Sequence, residues 1–365
     1  MNAIFYCIAF VMFLVTFIGC SVNGAIVYVV LVNKHLQNVN NTFVVSMCID
    51  GFLISSVGTI FTAATSVRGE WIFGDSVCQL HSFIVFFLGL AIIATLTSMA
   101  VEKYIVIKKE SRNIVTKRVC LYILFGCHLY GLAIALMPFL GWNQYQLEGC
   151  NITCSLKMDG SDDNSTSFNI FMLIVGLALP LAIMVTVYSK IIIKMKEKHR
   201  SMNFNTYSSH RKTILKREMA VTKTILLMIG VFSLAWSPYA IHCIVSMIGW
   251  TKGMSPFVAT IPALIAKSSV IYHPCIYISK NRAVKSALLL HFNCFKKRNR
   301  YDPRVLNNLP LNVRGLPIPL HKKIKATEIV TVDDDGDFSN TPSTSTDTHE
   351  RLCKFLVKDN KKCSV

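Results

Sequence analysis

The chain has 365 residues, of which 52% are hydrophobic and 16% are charged, with a formal net charge of +18. Its mean hydropathy is +0.46, whereas ordinary soluble domains average about 25% charged residues. The composition excludes an ordinary soluble domain, and the distribution of the positive charge decides whether nucleic acid is a plausible partner.

Seven apolar runs follow one another along the chain, and each is long enough to cross a bilayer as a helix. They are Ile4–Leu31, Phe43–Val67, Leu80–Ile107, Val119–Leu140, Phe168–Ile193, Met219–Ile248 and Phe257–Ile278. Backbone groups in lipid must be hydrogen-bonded within their own segment, which favours helices. The sequence therefore predicts an all-α membrane protein built as a seven-transmembrane helix bundle.

Basic residues are concentrated in the loops after the first, third and fifth runs. Lys108 and Lys109 begin one such cluster, and residues 194–217 contain eight more lysines and arginines. Cytoplasmic loops carry this excess, so we expect the N-terminus outside and the C-terminus in the cytoplasm. The positive charge then reflects membrane topology and a cytoplasmic partner surface, and the sequence predicts no nucleic-acid binding.

The outward-facing loops carry the residues suited to an oxidising compartment. Cys78, Cys150 and Cys154 are the three cysteines expected there, which predicts one disulfide and one free thiol. Asn164 begins a glycosylation sequon in a polar run and is a better acceptor than Asn151, which lies between cysteines. The spacing of the cysteines and histidines predicts no metal site.

Lys267 is the one basic residue well inside the seventh apolar run. At about 1.5 Å of rise per residue it lies roughly 15 Å from Phe257, near the middle of a hydrocarbon layer about 30 Å thick. A charge there costs about 3 kcal/mol, so intramembrane lysines usually have a function. An apolar setting favours the neutral amine, which is the form that condenses with an aldehyde.

The C-terminal part divides into a helix and a polar tail. Residues 281–292 have the pattern of a short amphipathic helix on the inner membrane face. Cys294 follows them, as either a palmitoylation site or a plain free thiol. We expect a membrane domain over residues 1–292 and a disordered cytoplasmic tail over residues 293–365. Hydroxyl residues between Thr341 and Thr348 fit either phosphorylation or a solvated spacer.

Short motifs in these runs resemble those of the rhodopsin-like G-protein-coupled receptors. They are Asn23, Asp50, Cys78, Glu102-Lys103-Tyr104, Trp236-Ser237-Pro238-Tyr239 and His273-Pro274-Cys275-Ile276-Tyr277. Each motif alone is weak evidence. In this order, over about 290 residues at the family's spacing, they are strong evidence together.

Within that family the chain resembles the animal opsins. Ala266-Lys267-Ser268-Ser269, six residues before His273-Pro274, is similar to the opsin retinal-attachment segment, and the loop from Gly141 to Gly149 is similar to an opsin loop. The resemblance implies a Schiff base between Lys267 and 11-cis or all-trans retinal. It also implies light-driven isomerisation, activation of a heterotrimeric G protein, and a plasma or photoreceptor membrane. Arrestin and a receptor kinase would act on the tail.

The same resemblance indicates a retinal pocket. Trp236 and Tyr239 lie three residues apart on one helix face and offer aromatic walls. Gly89 and Gly176, by correspondence with opsins, leave room beside them. An ordinary packed core is the alternative interpretation of such an aromatic pair, and Lys267 favours the pocket.

A buried protonated Schiff base needs an anionic partner. His81 stands where vertebrate visual pigments carry a glutamate, and a histidine cannot neutralise a cation. Glu148 matches the loop glutamate that serves as counterion in many non-vertebrate opsins, and a Cys78–Cys154 disulfide, as the family implies, would hold that loop over the pocket. A solvated carboxylate is the alternative for Glu148. His81 either modulates the Schiff base by titrating or is simply bonded at a helix end.

The resemblance also assigns residues to G-protein coupling and switching, with two departures. Lys103 replaces the family's arginine, and an ammonium is not equivalent to a planar guanidinium. His273 replaces the family's asparagine. The other matching positions are Glu102, Tyr104, Tyr188, Glu218, Pro274 and Tyr277.

Three other functions remain open. A retinal photoisomerase with the opsin fold would share Lys267 but signal little, and the two departures favour it slightly. A receptor for a diffusible ligand would use Lys267 to pair a ligand carboxylate. A transporter would need the internal repeats that this sequence lacks. Metabolic enzyme activity is not predicted, because the sequence offers no nucleophile, acid and base set.

Overall fold

The structure is a computed structural model that describes residues 2–109, 114–202, 209–251 and 253–298. Within these ranges, seven helices are long and apolar enough to cross a membrane. The seven predicted runs and the all-α bundle are therefore confirmed. The predicted disordered tail lies almost wholly outside the described residues.

The helices are labelled α1 to α8 in chain order. They are α1 (Asn2–Val32), α2 (Val39–Arg68), α3 (Asp75–Lys109), α4 (Lys117–Leu140), α5 (Asp163–Lys194, helical on to Met202), α6 (Ser209–Met247), α7 (Pro256–Lys280) and α8 (Arg282–Arg298). Helix α8 runs farther than the amphipathic helix expected over residues 281–292. Its buried Val284 and Leu288 face the core, while Leu289 and Leu290 are exposed.

Local hydrogen bonds explain where several helices begin and end. The side chains of Asn38, Thr116 and Asp162 each accept a backbone N–H from three residues ahead, at the starts of α2, α4 and α5. Gly69 and Gly141 end α2 and α4 with positive φ angles of 83° and 93°, a conformation that glycine adopts without strain.

Helices α2 and α5 contain wide turns, and α7 contains a tight turn close to Lys267. Residues 54–59 of α2 and 172–178 of α5 form π-helical turns, which are often found at functional sites. Residues 269–271 of α7 form a 3₁₀ turn between Lys267 and Pro274. The carbonyl of Gly58, in the wide turn of α2, accepts from the Thr62 hydroxyl of its own helix at 3.0 Å and also contacts His81 on α3.

A short antiparallel hairpin between α4 and α5 adds two strands that the all-α expectation did not include. Strands β1 (Tyr145–Glu148) and β2 (Thr153–Leu156) pair so that Glu148 faces Thr153. The hairpin is tied to the bundle by a Cys78–Cys154 disulfide, with 5.5 Å between the Cα atoms. The Tyr145 hydroxyl donates to the Ala135 carbonyl at 2.7 Å. These bonds hold the hairpin over one end of the bundle, which we call the hairpin end.

Helix α3 lies at the centre of the core. Leu88, Ile92, Leu96 and Met99 along it are all at most 5% exposed. The outer helices instead present large apolar side chains outward, such as Phe17 at 73% and Tyr122 at 75% exposed. Exposed apolar surface of this kind fits contact with lipid.

Candidate functional site

The Lys267 amine is buried and bonded to hydroxyl groups. The residue is 8% exposed and lies at the end of the first helical part of α7. Its Nζ donates to Oγ1 of Thr153 on β2 and, at 3.4 Å, to Oγ1 of Thr62 on α2. The two hydroxyl oxygens are 3.3 Å apart. Among the described residues, the amine is thus held between a helix and the hairpin and has no direct carboxylate contact.

Glu148 lies at the end of β1, directly across the hairpin from Thr153. The residue is partly exposed as a whole, yet both carboxylate oxygens are buried and have no hydrogen-bond partner among the described residues. Burial raises the pKa of Glu148, and the charge of Lys267 and the Ser155 hydroxyl oppose that rise. The solvated-carboxylate alternative does not fit these buried oxygens.

His81 joins the same site from α3. It is 2% exposed, and its Nε2 lies 3.0 Å from the Gly58 carbonyl in the wide turn of α2. Since a carbonyl only accepts, this contact assigns the ring proton to Nε2. The ring packs against Trp71, 5.4 Å between centroids, and interacts electrostatically with Lys267. His81 is therefore bonded within the bundle, between α2 and α3.

An apolar cavity adjoins this group on the side of α5 and α6. Gly89, Gly176, Trp236 and Tyr239 line it together with twelve further residues, which are Phe86, Leu90, Ile93, Leu156, Met158, Asn169, Met172, Leu173, Leu177, Phe232, Ala240 and Cys243. A Cβ added at Gly89 would approach Trp236 to 3.3 Å, so glycine lets the indole lie against α3. The structure thus brings all four predicted pocket residues to one cavity.

Among the described residues, Lys267 does not itself line this cavity. Two interactions connect the cavity-lining residues with the Lys267 site. Tyr239 interacts electrostatically with Glu148. The Trp236 indole donates its N–H to the Ser269 hydroxyl at 3.2 Å, two residues beyond Lys267. The cavity and the lysine are therefore neighbouring parts of one site.

The predicted coupling residues lie in a second region, toward α8. Lys103 is 1% exposed, and its Nζ is 3.0 Å from a Glu102 carboxylate oxygen. Tyr104 follows them on α3, with the Lys108 ammonium 5.8 Å from the centre of its ring. The acid and base of the Glu102-Lys103-Tyr104 motif thus form a buried ion pair.

Other predicted switch residues are buried nearby on α5 and α7. The Tyr277 hydroxyl donates to Asn41 Oδ1 at 2.5 Å and accepts from Asn281 at 2.8 Å. His273 packs against Phe232, with 5.6 Å between ring centres, and Pro274 is buried beside it. The Tyr188 hydroxyl is buried without a hydrogen-bond partner within the described ranges.

Three predicted sites are only partly visible or stay untested. Glu218 lies on α6 and Cys294 on α8, at positions whose side chains lie outside the described set. Asn164 is exposed, and its side-chain amide donates to the Gly141 carbonyl at 2.6 Å. Glycosylation at Asn164 and palmitoylation at Cys294 stay predictions.

Sequence reasoning missed both threonines that hold the lysine. Thr153 carries a usable signal, because it directly precedes the cysteine expected to bring the loop over the pocket. Thr62 carries none, because its position depends on the rotation of α2 about its axis. The contact between the Gly58 carbonyl in the wide turn and His81 also has no marker in the sequence.

Comparison with known proteins identifies the family. The family described as 7 transmembrane receptor (rhodopsin family) matches residues 22–277. Human visual pigment-like receptor peropsin is 30% identical over 286 residues, which cover 78% of this chain and 83% of that protein. The chain belongs to the animal opsins, within the rhodopsin family of seven-transmembrane receptors.

Other similarities agree with this assignment. Human melanopsin is 28% identical to this opsin over 297 residues, which cover 79% of this chain and 62% of melanopsin. The crystal structure of squid rhodopsin superimposes with a TM-score of 0.76 at 24% identity, covering 84% of this chain and 90% of that chain. The predicted opsin family and the Cys78–Cys154 disulfide are confirmed.

Proposed function

We propose that this opsin is a light-sensing receptor that binds retinal, 11-cis or all-trans, through a Schiff base on Lys267. One observation carries the proposal. A buried lysine amine, bonded only to hydroxyl groups among the described residues, lies in the field of a buried carboxylate that has no hydrogen-bond partner there. An amine in direct contact with a carboxylate would be held as an ammonium, whereas this amine is available for condensation.

The residues present fit a long apolar aldehyde. The adjoining cavity is lined mainly by apolar and aromatic side chains, with Trp236 and Tyr239 at 82° to each other. Bound retinal would supply the absorption of light and the change of shape that follows. The chain would hold it with Lys267, orient the amine with Thr62 and Thr153, and enclose it with the hairpin.

Glu148 is the proposed counterion. Its carboxylate oxygens lie in a buried setting and interact electrostatically with Lys267. The contact with the Gly58 carbonyl places a proton on Nε2 of His81, and a histidine contributes no negative charge whether its ring is neutral or protonated. A protonated Schiff base would therefore be neutralised from the hairpin, and its stability would depend on the disulfide that holds the hairpin in place.

Reconstitution with retinal tests the proposal. The purified full chain is incubated with 11-cis and, separately, all-trans retinal, the imine is reduced, and the modified peptide is located by mass spectrometry. We expect a visible absorption band and a modification at Lys267. A protein that stays colourless with both isomers contradicts the proposal and favours a receptor for a diffusible ligand.

We further propose that the receptor acts from a plasma or photoreceptor membrane on a heterotrimeric G protein, with its N-terminus outside. The supports are the receptor family and the basic loops at the opposite end from the hairpin. Arrestin and a receptor kinase would act through the tail, which lies outside the described residues. Light-dependent nucleotide exchange on a G protein measures this activity.

A retinal photoisomerase is the second candidate function. The observation that favours it is the buried Lys103–Glu102 pair at the position of the family's arginine motif. Retinoid extraction after illumination distinguishes the two. Turnover of all-trans into 11-cis retinal without nucleotide exchange would identify an isomerase, whereas exchange in the light identifies a signalling receptor.

A further inference from the structure

A second ionisable pair, between a buried and a partly exposed residue, connects α2 and α4. Asp50 is 1% exposed, and its Oδ1 lies 3.1 Å from Nε2 of His128, whose side chain is 31% exposed. Each residue lies eleven positions from the start of its helix, which is about 16 Å of rise and near the middle of a bilayer. Charged residues at this depth are expensive and usually functional.

The hydrogen bonds of the His128 ring show how many protons the contact with Asp50 holds. Nδ1 of His128 lies 2.9 Å from the Leu124 carbonyl, which only accepts, so Nδ1 carries a proton. Nε2 meets a carboxylate oxygen, and a hydrogen bond there also requires a proton. The ring is then an imidazolium beside a carboxylate, or a neutral ring beside a carboxylic acid. Both forms hold one proton more than a separated carboxylate and neutral imidazole.

The described residues around Asp50 supply no charge that competes with His128. In the described part of the chain, the groups that interact electrostatically with Asp50 are His128 and two thiols, Cys48 on α2 and Cys127 on α4. Thiols are uncharged in their protonated form, and no charged side chain of α1, α3 or α7 acts on Asp50 there. The second oxygen, Oδ2, is buried and has no hydrogen-bond partner among those residues. A lone carboxylate here would be unsatisfied, which favours the extra proton.

We propose that the Asp50–His128 contact is a proton-binding site inside the membrane, which holds α2 against α4 while the shared proton is present. The pair is then neutral as a unit. A helix rearrangement that separates Nε2 from Oδ1 breaks the hydrogen bond that stabilises this proton. The separated groups would bind the proton more weakly, either as a carboxylic acid without its imidazole partner or as an imidazolium without its carboxylate. The balance between helix arrangements would therefore depend on pH. This inference does not rest on retinal binding.

Spectroscopy of the full chain tests the protonation directly. Histidine labelled with ¹⁵N is observed by NMR at about pH 7, with His128→Asn to assign the signal and His242→Asn, at a half-buried histidine of α6, as control. We expect either a ring with both nitrogens protonated or an infrared carboxylic-acid band that Asp50→Asn removes. A neutral His128 ring without any acid band from Asp50 overturns the proposal.

A double-mutant cycle tests whether the shared proton holds the helices together. In Asp50→Asn the amide can donate to Nε2, so the contact survives without the extra proton and the half-life in detergent should change little. His128→Asn leaves the carboxyl group of Asp50 buried without its imidazole partner, so we expect the half-life to shorten about tenfold or more. The loss should be smaller than for a fully buried pair, because the His128 side chain is partly exposed. The double variant should regain most of the loss. Additive effects overturn the proposal.

Retinal binding by the same samples is measured separately, so the proposed function and the proton site are tested independently. Each variant is also reconstituted with retinal, and the visible band is recorded. A wild-type chain that stays colourless contradicts the proposed function, yet leaves the NMR and half-life results to decide the proton site. A coloured chain with additive half-lives retains the proposed function and rejects the proton site.

Discussion

Two buried lysines in this opsin have different hydrogen-bonding and ionic partners. Lys103, toward α8, contacts a carboxylate oxygen of Glu102 at 3.0 Å. Lys267, at the hairpin end, contacts two threonine hydroxyls, while the carboxylate of Glu148 is buried nearby without a hydrogen-bond partner among the described residues. The amine of Lys103 is engaged in an ion pair with Glu102, whereas the amine of Lys267, held by hydroxyls, is available for condensation. The carboxylate then remains to balance the charge that the reaction creates.

The largest expected effect separates the two lysines. Replacing Lys267 by alanine removes the only nitrogen to which the proposal attaches retinal, so the visible band should vanish completely. Lys103→Ala should keep the band, because its amine is already committed to Glu102. Absorption spectra after reconstitution measure both variants. A retinal imine formed by the Lys267→Ala protein would show that another amine is the attachment site.

The second effect distinguishes the two carboxylates. Glu148→Gln removes the proposed counterion, and losing a neighbouring opposite charge changes a pKa by about 1–3 units. The pH at which the visible band is half lost should therefore fall by about that amount. Glu102→Gln is the matched control, and its titration should follow the wild type. Equal titration curves for Glu148→Gln and wild type would exclude Glu148 as the counterion.

The outcome for Lys267 and Glu148 shows how far sequence reasoning reaches. The sequence singles out Lys267 because a base inside an apolar run is rare. Glu148 was suggested by the resemblance of its loop to an opsin loop, with Cys154 six residues farther on. Both signals are local in the chain. The seven spans were predictable for the same reason, since length and apolar composition are properties of each segment by itself.

Features that depend on neighbouring helices were not predictable. His128 carries no local signal that it meets Asp50, seventy-eight residues earlier. The contacts of Thr62 with Lys267 and of the Gly58 carbonyl with His81 likewise depend on how α2 is rotated and where its wide turn falls. The β1–β2 hairpin is stabilised by its disulfide and by contacts such as Tyr145 with Ala135, which are set by the fold. Such contacts require coordinates.

A third, smaller effect concerns the stability of the retinal-free protein. Burial raises the pKa of Glu148 above its ordinary value of about 4.3. At a pH between the ordinary pKa of Glu148 in the unfolded chain and its raised pKa in the folded chain, the folded chain holds a proton that the unfolded chain has released. The free energy of unfolding therefore falls as the pH rises through that window. Thermal unfolding at several pH values should show this slope, and Glu148→Gln should flatten it. Glu70→Gln, at an exposed carboxylate, should leave it unchanged.

The smallest expected effect concerns Lys103 itself. Replacing it by arginine restores the family's planar fork, which can bond Glu102 through two N–H groups instead of one point charge. One added hydrogen bond is worth about 1 kcal/mol, or roughly fivefold in an equilibrium. We expect light-dependent nucleotide exchange to change by about that factor, with an unaltered visible band because Lys103 lies away from the Lys267 site. Exchange that is absent from both proteins, while the band and retinal turnover persist, would instead assign the chain to the photoisomerase function. In that case the contrast between Lys103 and Lys267 would concern retinal attachment at the hairpin end and would say nothing about G-protein coupling.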